Sequence, residues 1–511
     1  MYLVLNLGLK SIRAIVFGDK GKIFVNCSYP LSTILNGDAV EQNGAEWWSK
    51  GIKVINDALE NDNLRKKIRY ITVTASSCCL VPVNKLGEPL SNIIMVSDKR
   101  ASKECIHISK LDSYKEIRKD RCDFEVKSSL MLPKILWLKN NRKNVFNEAA
   151  YFLSPNDYFG YRLTGHAAVD TFNAEKCFFD SVTNTYPTKL LKELKIPLEK
   201  LPKVLQVGDL VSQVTNEFKK LIHIDKSQSL EYVMSTYDAI CAFYGSGVAE
   251  NGDTCDVSGT VTSLRTLAKG KVDISSTAIL SQYQPEFDVS IIGGSNNLGG
   301  GLIEWAKQAF YSEHDSPYEL IENEAKKVSN GADGVLFLPY LMGERSPLWN
   351  DDARGVFFGL SRNHKREHMM RAVFESTGFS LRNILEEIEN TGREVKTIRS
   401  SGGLSRIHLV AQIKADILGK EIQIVDEFET TALGAYLLMG ISTNLFKDLR
   451  DASSIVCVRE IIFPNLDNHE RYSKSYKLYK DIYTSLLSCY SEHSMLHKEN
   501  MYSRSDKIEN M

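Results

Sequence analysis

The chain has 511 residues, so two or three domains are expected, because a single core rarely grows past about 300 residues. Hydrophobic residues make up 43% and charged residues 25%, an ordinary globular composition. With 63 basic against 64 acidic residues, the formal charge is −1, which removes a global electrostatic reason to bind nucleic acid or an anionic membrane.

The first stretch, "YLVLNLGLKSIRAIVFGDKGKIF" (2–24), holds the apolar runs Leu3–Leu5, Ile12–Phe17 and Ile23–Val25. Short loops at Gly8 and at "GDKG" separate them, a pattern that predicts two successive hairpins. The first tip carries Asn6, Gly8, Lys10 and Ser11. Backbone N–H groups, a hydroxyl and a cation suit an anionic ligand there, while a solvated turn is the plainer alternative. Asn6, Lys10 and Arg13 interrupt the apolar pattern, and there is no basic n-region, so no signal peptide is expected. No apolar run is long enough for a bilayer span.

Next comes "YITVTASSCCLVPV" (70–83), which reads as strand, and "LPKILWLKNN" (132–141), which reads as helix. This alternation indicates an α/β protein. The ten cysteines include no C-x-x-C pair, and Cys78 and Cys79 are adjacent. They read as small buried hydrophobes in a reducing cytoplasm. "DAICAFYG" (238–245) predicts a short apolar helix with Asp238 at its N-cap. The turn-rich "GSGVAENGD" (245–253) looks like a domain junction. After it, "TCDVSGTVTSLRTL" (254–267) repeats the opening pattern of strand, glycine turn and strand. Two halves that each begin with a glycine hairpin suggest two related domains facing a shared cleft.

Two further glycine stretches, "GGSNNLGGGLIEWA" (293–306) and "SSGGLSRIHLVAQIKADILG" (400–419), run toward helices. Glycines there let a ligand approach the backbone, and the helix N-terminus favours phosphate. Close packing of strand on helix explains one such turn equally well; four of them favour nucleotide binding. Neither a Walker loop nor a G-x-G-x-x-G fingerprint with its acidic partner is present. Residues 364–390 repeat apolar positions at helical spacing. Tyr472, Tyr476, Tyr479 and Tyr483 form a stripe expected to dock a helix on the core, and the last polar residues are expected to fray.

At this point the motifs resemble the FGGY family of carbohydrate kinases over about residues 2–485. The segment "GVFFGLSRNHKREHMMRAVFE" (355–375) fits the family's second signature through Gly355, Gly359, Leu360, His368, Ala372 and Glu375. The preceding "GADGVLFLPYLMGERSPLWNDDARG" (331–355) is similar to the sugar-kinase version. In the first signature Lys134, Trp137, Asn140 and Asn141 match, whereas Met131 replaces a small residue or proline. "VEQNGAEWW" (40–48) and "SPNDYFGYRLTG" (154–165) are also similar to family segments. The resemblance implies two actin-like (ribonuclease H-like) domains with an interdomain active-site cleft. It places a sugar-binding domain at 1–247, a nucleotide-binding domain with a closing helix at 248–490, and a polar tail at 491–511. It implies a soluble, cytoplasmic enzyme acting on a small sugar or polyol, and it allows a homodimer.

The resemblance also implies roles. Asp238 stands where the family keeps its catalytic base, beside the substrate. Gly8, Lys10, Gly259 and Thr260 fall on phosphate-binding hairpins, with Gly300 a further nucleotide contact and Gly402–Gly403 the adenosine turn. ATP and magnesium are the implied cofactors. In the family the first hairpin carries an Asp that helps organise the metal; here that position is Asn6, and the two hydroxyl positions are Leu9 and Lys10. An amide brings no negative charge to magnesium, while Lys10 brings a cation to phosphate. A site rebuilt around Lys10 and a weakened kinase acting as a sensor or scaffold are the two readings of this change. The sugar site differs too. Ser76, Ser77 and Cys78 stand where xylulose kinases carry Gln-Met-His, and Val96 precedes Asp98 and Arg100 where an aromatic is common. Smaller side chains leave room for a bulkier substrate.

Overall fold

The computed structural model describes residues 1–120, 125–259, 261–275, 277–314, 318–426 and 429–496. Two compact units divide the chain. The first consists of Met1–Ala249, Gln282–Ser290 and Glu429–Val456; the second consists of Glu250–Ser281, Ile291–Phe428 and the chain from Cys457 onward.

The first unit is built on a six-stranded sheet. Its order is Leu210–Gln213, Glu231–Val233, Tyr70–Ala75, Tyr2–Leu7, Ser11–Phe17 and Ile23–Pro30. All six residues of Tyr2–Leu7 are buried, as expected for a strand covered on both faces. It pairs antiparallel with Ser11–Phe17 and parallel with Tyr70–Ala75. The two expected hairpins are therefore present, and the second is completed by Ile23–Pro30 against Ser11–Phe17. The predicted strand 70–83 is two strands, Tyr70–Ala75 and Val81–Val83, separated by the turn that carries Ser76, Ser77 and Cys78. The helix Met131–Asn141 forms where the periodicity places it.

Asp238–Gly245 is helical. Its N-cap is Tyr237, so Asp238 is the first helical residue rather than the cap. A first-turn carboxylate still complements the helix N-terminus. This helix crosses Thr430–Ser442 at glycine contacts. A Cβ on Gly245 would overlap the Thr430 carbonyl, and one on Gly434 would overlap the Cys241 carbonyl. Backbones can meet this closely only where side chains are absent.

The second unit repeats the scheme on a seven-stranded sheet. Thr254–Ser258 pairs antiparallel with Thr262–Lys269 and parallel with Thr397–Ser401, as Tyr2–Leu7 does with its own neighbours. Glu421–Val425 continues the parallel run. Gly300–Phe310 begins within its glycine run, with Gly299 as the cap residue. The run at 400–406 does not feed straight into its helix: a 3-10 turn, Gly403–Arg406, precedes His408–Leu418. The long helix Arg366–Asn390 buries Met370, Val373, Phe374, Leu381, Leu385 and Ile388, as the spacing predicts. Tyr472, Tyr476 and Tyr479 are buried on Leu466–Ser485, and Phe379 packs against each of them. Residues 487–496 are helical, and the rest of the polar tail lies outside the described residues.

Candidate active site

Within the first unit, Asn6 lies near the end of Tyr2–Leu7, opposite Arg13 on one side and Thr74 on the other. It is buried, whereas Leu9 and Lys10 at the hairpin tip are exposed. The tip closes through Gly8 N–H donating to Ser11 O at 2.9 Å. Gln42 holds it from behind: its Nε2 donates to Leu9 O at 2.8 Å, and its Oε1 accepts from Trp47 Nε1 at 2.7 Å. The segment "VEQNGAEWW" thus anchors the hairpin tip, with Asn43 capping the helix Gly44–Ala58 through Ala45 and Glu46 N–H.

The strand Tyr70–Ala75 delivers the chain to Ser76, whose N–H donates to Leu7 O at 3.1 Å. Ser76 Oγ donates to Asp238 Oδ2 at 3.2 Å, and Ala239 N–H donates to Asp238 Oδ1 at 2.7 Å. Ser77 Oγ donates to Asn173 Oδ1 at 3.3 Å. Asn173 Nδ2 in turn donates to Asp170 Oδ2 at 2.7 Å, and Thr236 Oγ1 donates to Asp170 Oδ1 at 2.8 Å. Ser76, Ser77, Cys78, Asn173 and Asp238 therefore gather at one place. Cys78 sits at φ 64°, a left-handed conformation at the centre of the turn. Burial pushes the neighbouring Cys79 thiol up to about 12, which makes it a packing group rather than a nucleophile.

Lys134, a first-signature residue, holds this turn in place. Its ammonium donates to the carbonyls of Cys78, Met95 and Ser129 at 2.6, 2.8 and 2.9 Å. Burial lowers its pKa. Asp98 is also buried, and its carboxylate is engaged on both oxygens. It accepts from Val40 N–H at 2.7 Å, from Arg100 N–H at 3.0 Å and from Arg100 Nε at 2.9 Å. Arg100 also reaches Glu41 at 2.7 Å and stacks on Trp137. Asp98 braces the loop around Met95, to which Lys134 is tied.

In the second unit the glycine turns converge on Ser258–Gly259. Gly300 N–H donates to Gly259 O at 2.7 Å. Gly402 adopts φ +91°, and a Cβ there would lie 2.5 Å from Ser258 O. Any side chain at Gly402 would displace the tip. Gly403 instead has open space where a Cβ would project. Gly8 and Gly259 meet only ordinary contacts at that position, and neither needs a positive φ. Thr260 lies outside the described residues.

Beneath this junction is a buried polar group. Lys414 Nζ donates to Asp256 Oδ2 at 2.6 Å and to Ser258 Oγ at 2.7 Å. Ser258 Oγ donates to Asp256 Oδ1 at 2.5 Å, and Ser400 Oγ donates to Asp256 Oδ2 at 2.9 Å. The two charged side chains are each 1% exposed.

Glu344, in "GERSP", steadies the approach to Gly300. It accepts from Asn297 N–H at 2.9 Å, Arg345 N–H at 2.7 Å and Asn296 Nδ2 at 3.3 Å. Burial raises its pKa from 4.5 to about 7 despite these donors. A raised carboxyl binds its proton more tightly in the folded state, so stability falls as pH rises from 4.5 through 7. At about 1.36 kcal/mol per unit, that cost is roughly 3 kcal/mol above pH 7. Glu344→Gln is expected to flatten the decline of Tm between pH 5 and 8, measured by thermal unfolding; an unchanged slope would remove Glu344 as its source.

Residues 1–227 match the N-terminal domain of the FGGY family of carbohydrate kinases, and residues 257–443 match its C-terminal domain. The chain belongs to the FGGY family of carbohydrate kinases. It is therefore a phosphotransferase of a family that uses ATP. The chain is similar to the xylulose kinase of Bacillus subtilis, at 26% identity over 498 residues, covering 94% of this chain and 96% of that one. It is 26% identical to the gluconokinase of the same organism over 446 residues, 85% of this chain and 86% of that one. Its fold is that of a xylulose kinase from Lactobacillus acidophilus, with a TM-score of 0.86, 24% identity, and coverage of 96% of this chain and 100% of that one.

Sequence reasoning alone missed several residues that the structure brings to these turns: Asp170 and Asn173 in "DTFNAEKC", and the Asp256–Lys414 pair. Nothing local marks the first group, which has no glycine and no recognisable spacing. For the pair, the signal is a lysine on the inward face of the helix His408–Leu418. Among the described residues no helix is long and apolar enough to cross a membrane.

Proposed function

We propose that this chain transfers the γ-phosphoryl group of ATP to a hydroxyl of a sugar or polyol, with Asp238 as general base. The observation that carries the reading is the carboxylate of Asp238 at the head of its helix. It is held by Ser76 and Ala239 and faces the turn that carries Ser77 and Cys78. In the transfer the substrate oxygen bonds to the γ-phosphorus, the bond to the ADP oxygen breaks, and the hydroxyl proton passes to Asp238. The first unit supplies the base and the sugar-side groups Ser76, Ser77 and Cys78. Asp98 acts through the loop it braces, since both its oxygens are occupied.

The second unit supplies Gly259, Thr260, Gly300, Gly402 and Gly403 for the nucleotide. Glycine at 8, 259 and 403 is not demanded by the chain's own crowding, and close approach of a phosphate or base gives the physical reason for it. Among the described residues no group of three or more His, Cys, Asp or Glu is placed to hold a metal ion. That fits magnesium arriving with ATP, because this ion is bound mainly through phosphates and water with one or two protein oxygens. Asn6, on the strand that leads into the hairpin tip, is the residue that the family resemblance sets toward the ion. When bound, the ion neutralises charge on the phosphates.

The relatives include a xylulose kinase and a gluconokinase, so the test uses a panel of ketoses, polyols and aldonates with ATP and magnesium, read by ADP release. Saturable turnover on one of them is expected. ADP release no faster than without an acceptor, across the whole panel, would sink the reading in favour of a nucleotide-binding scaffold.

Lys10 is exposed at the hairpin tip beside Gly8 and is the cation proposed to stand in for the missing hydroxyl. A charge-assisted hydrogen bond contributes roughly 1.5–3 kcal/mol, so Lys10→Ala is expected to weaken ATP binding about ten- to hundredfold by titration calorimetry. An unchanged Kd would return Lys10 to solvent. Asn6→Asp, which sets a competing carboxylate near Lys10, is expected to lower turnover; a rise would favour a kinase weakened by loss of its acidic metal partner.

A further inference from the structure

The turn Glu175–Cys177 places Lys176 three residues beyond Asn173, next to the Ser77 and Asp238 groups described above. Its ammonium lies 5.2 Å from the centre of the Tyr237 ring, and Tyr237 immediately precedes Asp238. Lys176 is only half-buried, and part of its side chain is open to solvent. Among the described residues it makes no hydrogen bond and no ion pair. An ammonium carries three donors, and here solvent or a ligand, rather than the protein, meets them. Lys134, in the same unit, shows the satisfied alternative, with carbonyls at 2.6, 2.8 and 2.9 Å.

The carboxyl groups nearby are already engaged elsewhere. Asp170 accepts from Phe172 and Asn173 N–H, from Asn173 Nδ2 and from Thr236 Oγ1. Glu175 accepts from Gln282 Nε2 at 3.1 Å and from Ser181 Oγ at 3.5 Å. Burial opposes the charge on Lys176, yet Tyr237, Cys78, Glu175 and Asp170 outweigh it and raise its pKa. Lys176 is thus held as a cation without an acceptor of its own. Two carboxyl groups, Asp170 and Glu175, bear on this one ammonium, and a third, Asp238, follows Tyr237 in the chain. A further anionic group entering here would meet excess negative charge, whereas a neutral oxygen would not.

We propose that Lys176 donates to a hydroxyl or carbonyl oxygen of the substrate and that the carboxyl groups around it select neutral sugars or polyols over acidic ones. The inference rests on the kinase reading above, with Asp238 as base.

The test measures ADP release with neutral ketoses and polyols and with aldonates and uronates, for the wild type and for Lys176→Met, Lys176→Arg and Asp238→Asn. The best wild-type substrate is expected to be neutral. Lys176→Met is expected to raise its KM roughly ten- to hundredfold while leaving the KM for ATP unchanged, and Lys176→Arg is expected to restore most of the loss. A merely structural lysine would not separate the two KM values. An acidic best substrate, a sugar KM unmoved by Lys176→Met, or silence on both panels overturns the proposal. Turnover that is lost in Asp238→Asn but indifferent to Lys176→Met defeats this inference alone. Turnover that survives Asp238→Asn defeats the assignment of Asp238 on which it rests.

Discussion

Asp238→Asn is expected to lower kcat by roughly two to four orders of magnitude, the range a general base contributes, while thermal stability and ATP affinity stay near wild type. Asparagine keeps the shape of the side chain and an oxygen to accept from Ser76 Oγ. It does not accept a proton from the attacking hydroxyl at neutral pH. The fold has little reason to respond. The helix starts at Asp238 with Tyr237 as its cap residue, so the carboxylate is not the cap that starts it. What fixes the helix is its backbone crossing with Thr430–Ser442 at Gly245 and Gly434, which does not involve the Asp238 side chain. Steady-state kinetics on the substrate found in the panel, with calorimetry for ATP, separates chemistry from binding. Near-normal kcat would remove Asp238 from the role of base. A collapse of Tm together with kcat would make it a structural residue instead.

What the sequence makes legible follows from how local each feature is. The two glycine hairpins are local: apolar runs on either side of a short turn are visible as such, and both form as antiparallel pairs with a glycine opening each tip. The tyrosine stripe at 472–483 is likewise a one-helix pattern: Tyr472, Tyr476 and Tyr479 dock as expected, and Tyr483 is half-buried. The convergence of Gly300 and Gly402 on Ser258–Gly259 involves residues about 40 and 140 positions away in the chain, and only the fold brings them together. Spacing could not reveal it; the four glycine turns could only be counted. The same holds for Gly434, which reads as an unremarked glycine in an apolar helix until its backbone meets the Cys241 carbonyl. Asp98 shows the converse, a residue marked by resemblance whose partners only the fold reveals. The family resemblance placed it in the sugar site, and in the structure its carboxylate folds back on Arg100, two residues on. Lys176 and Asn173 carry no glycine and no recognisable spacing, so nothing local marks them. Their position beside Ser77 comes from tertiary packing.

Lys414→Met is expected to destabilise the protein by about 3–5 kcal/mol, because it leaves Asp256 as a buried charge without its cation. Asp256 would keep only the hydroxyls of Ser258 and Ser400, which do not offset its desolvation. Removing both charges is a different matter. Lys414→Met combined with Asp256→Leu replaces an ion pair with apolar volume, which is often near neutral once packing is recovered. Here the recovery is expected to be partial, since Ser258 and Ser400 lose the carboxylate that accepts from them. Denaturant unfolding of the single and double variants gives the comparison directly. The pair also sits under the turn on which the glycines meet, with Lys414 donating to Ser258, the residue before Gly259. Its loss should therefore loosen the position of Gly259 even where the fold survives. The KM for ATP in the double variant is expected to rise while the sugar KM does not. A Lys414→Met variant within about 1 kcal/mol of wild type would show that Asp256 is relieved without its cation, by water or by a proton, and the pair would then be no anchor for the turn.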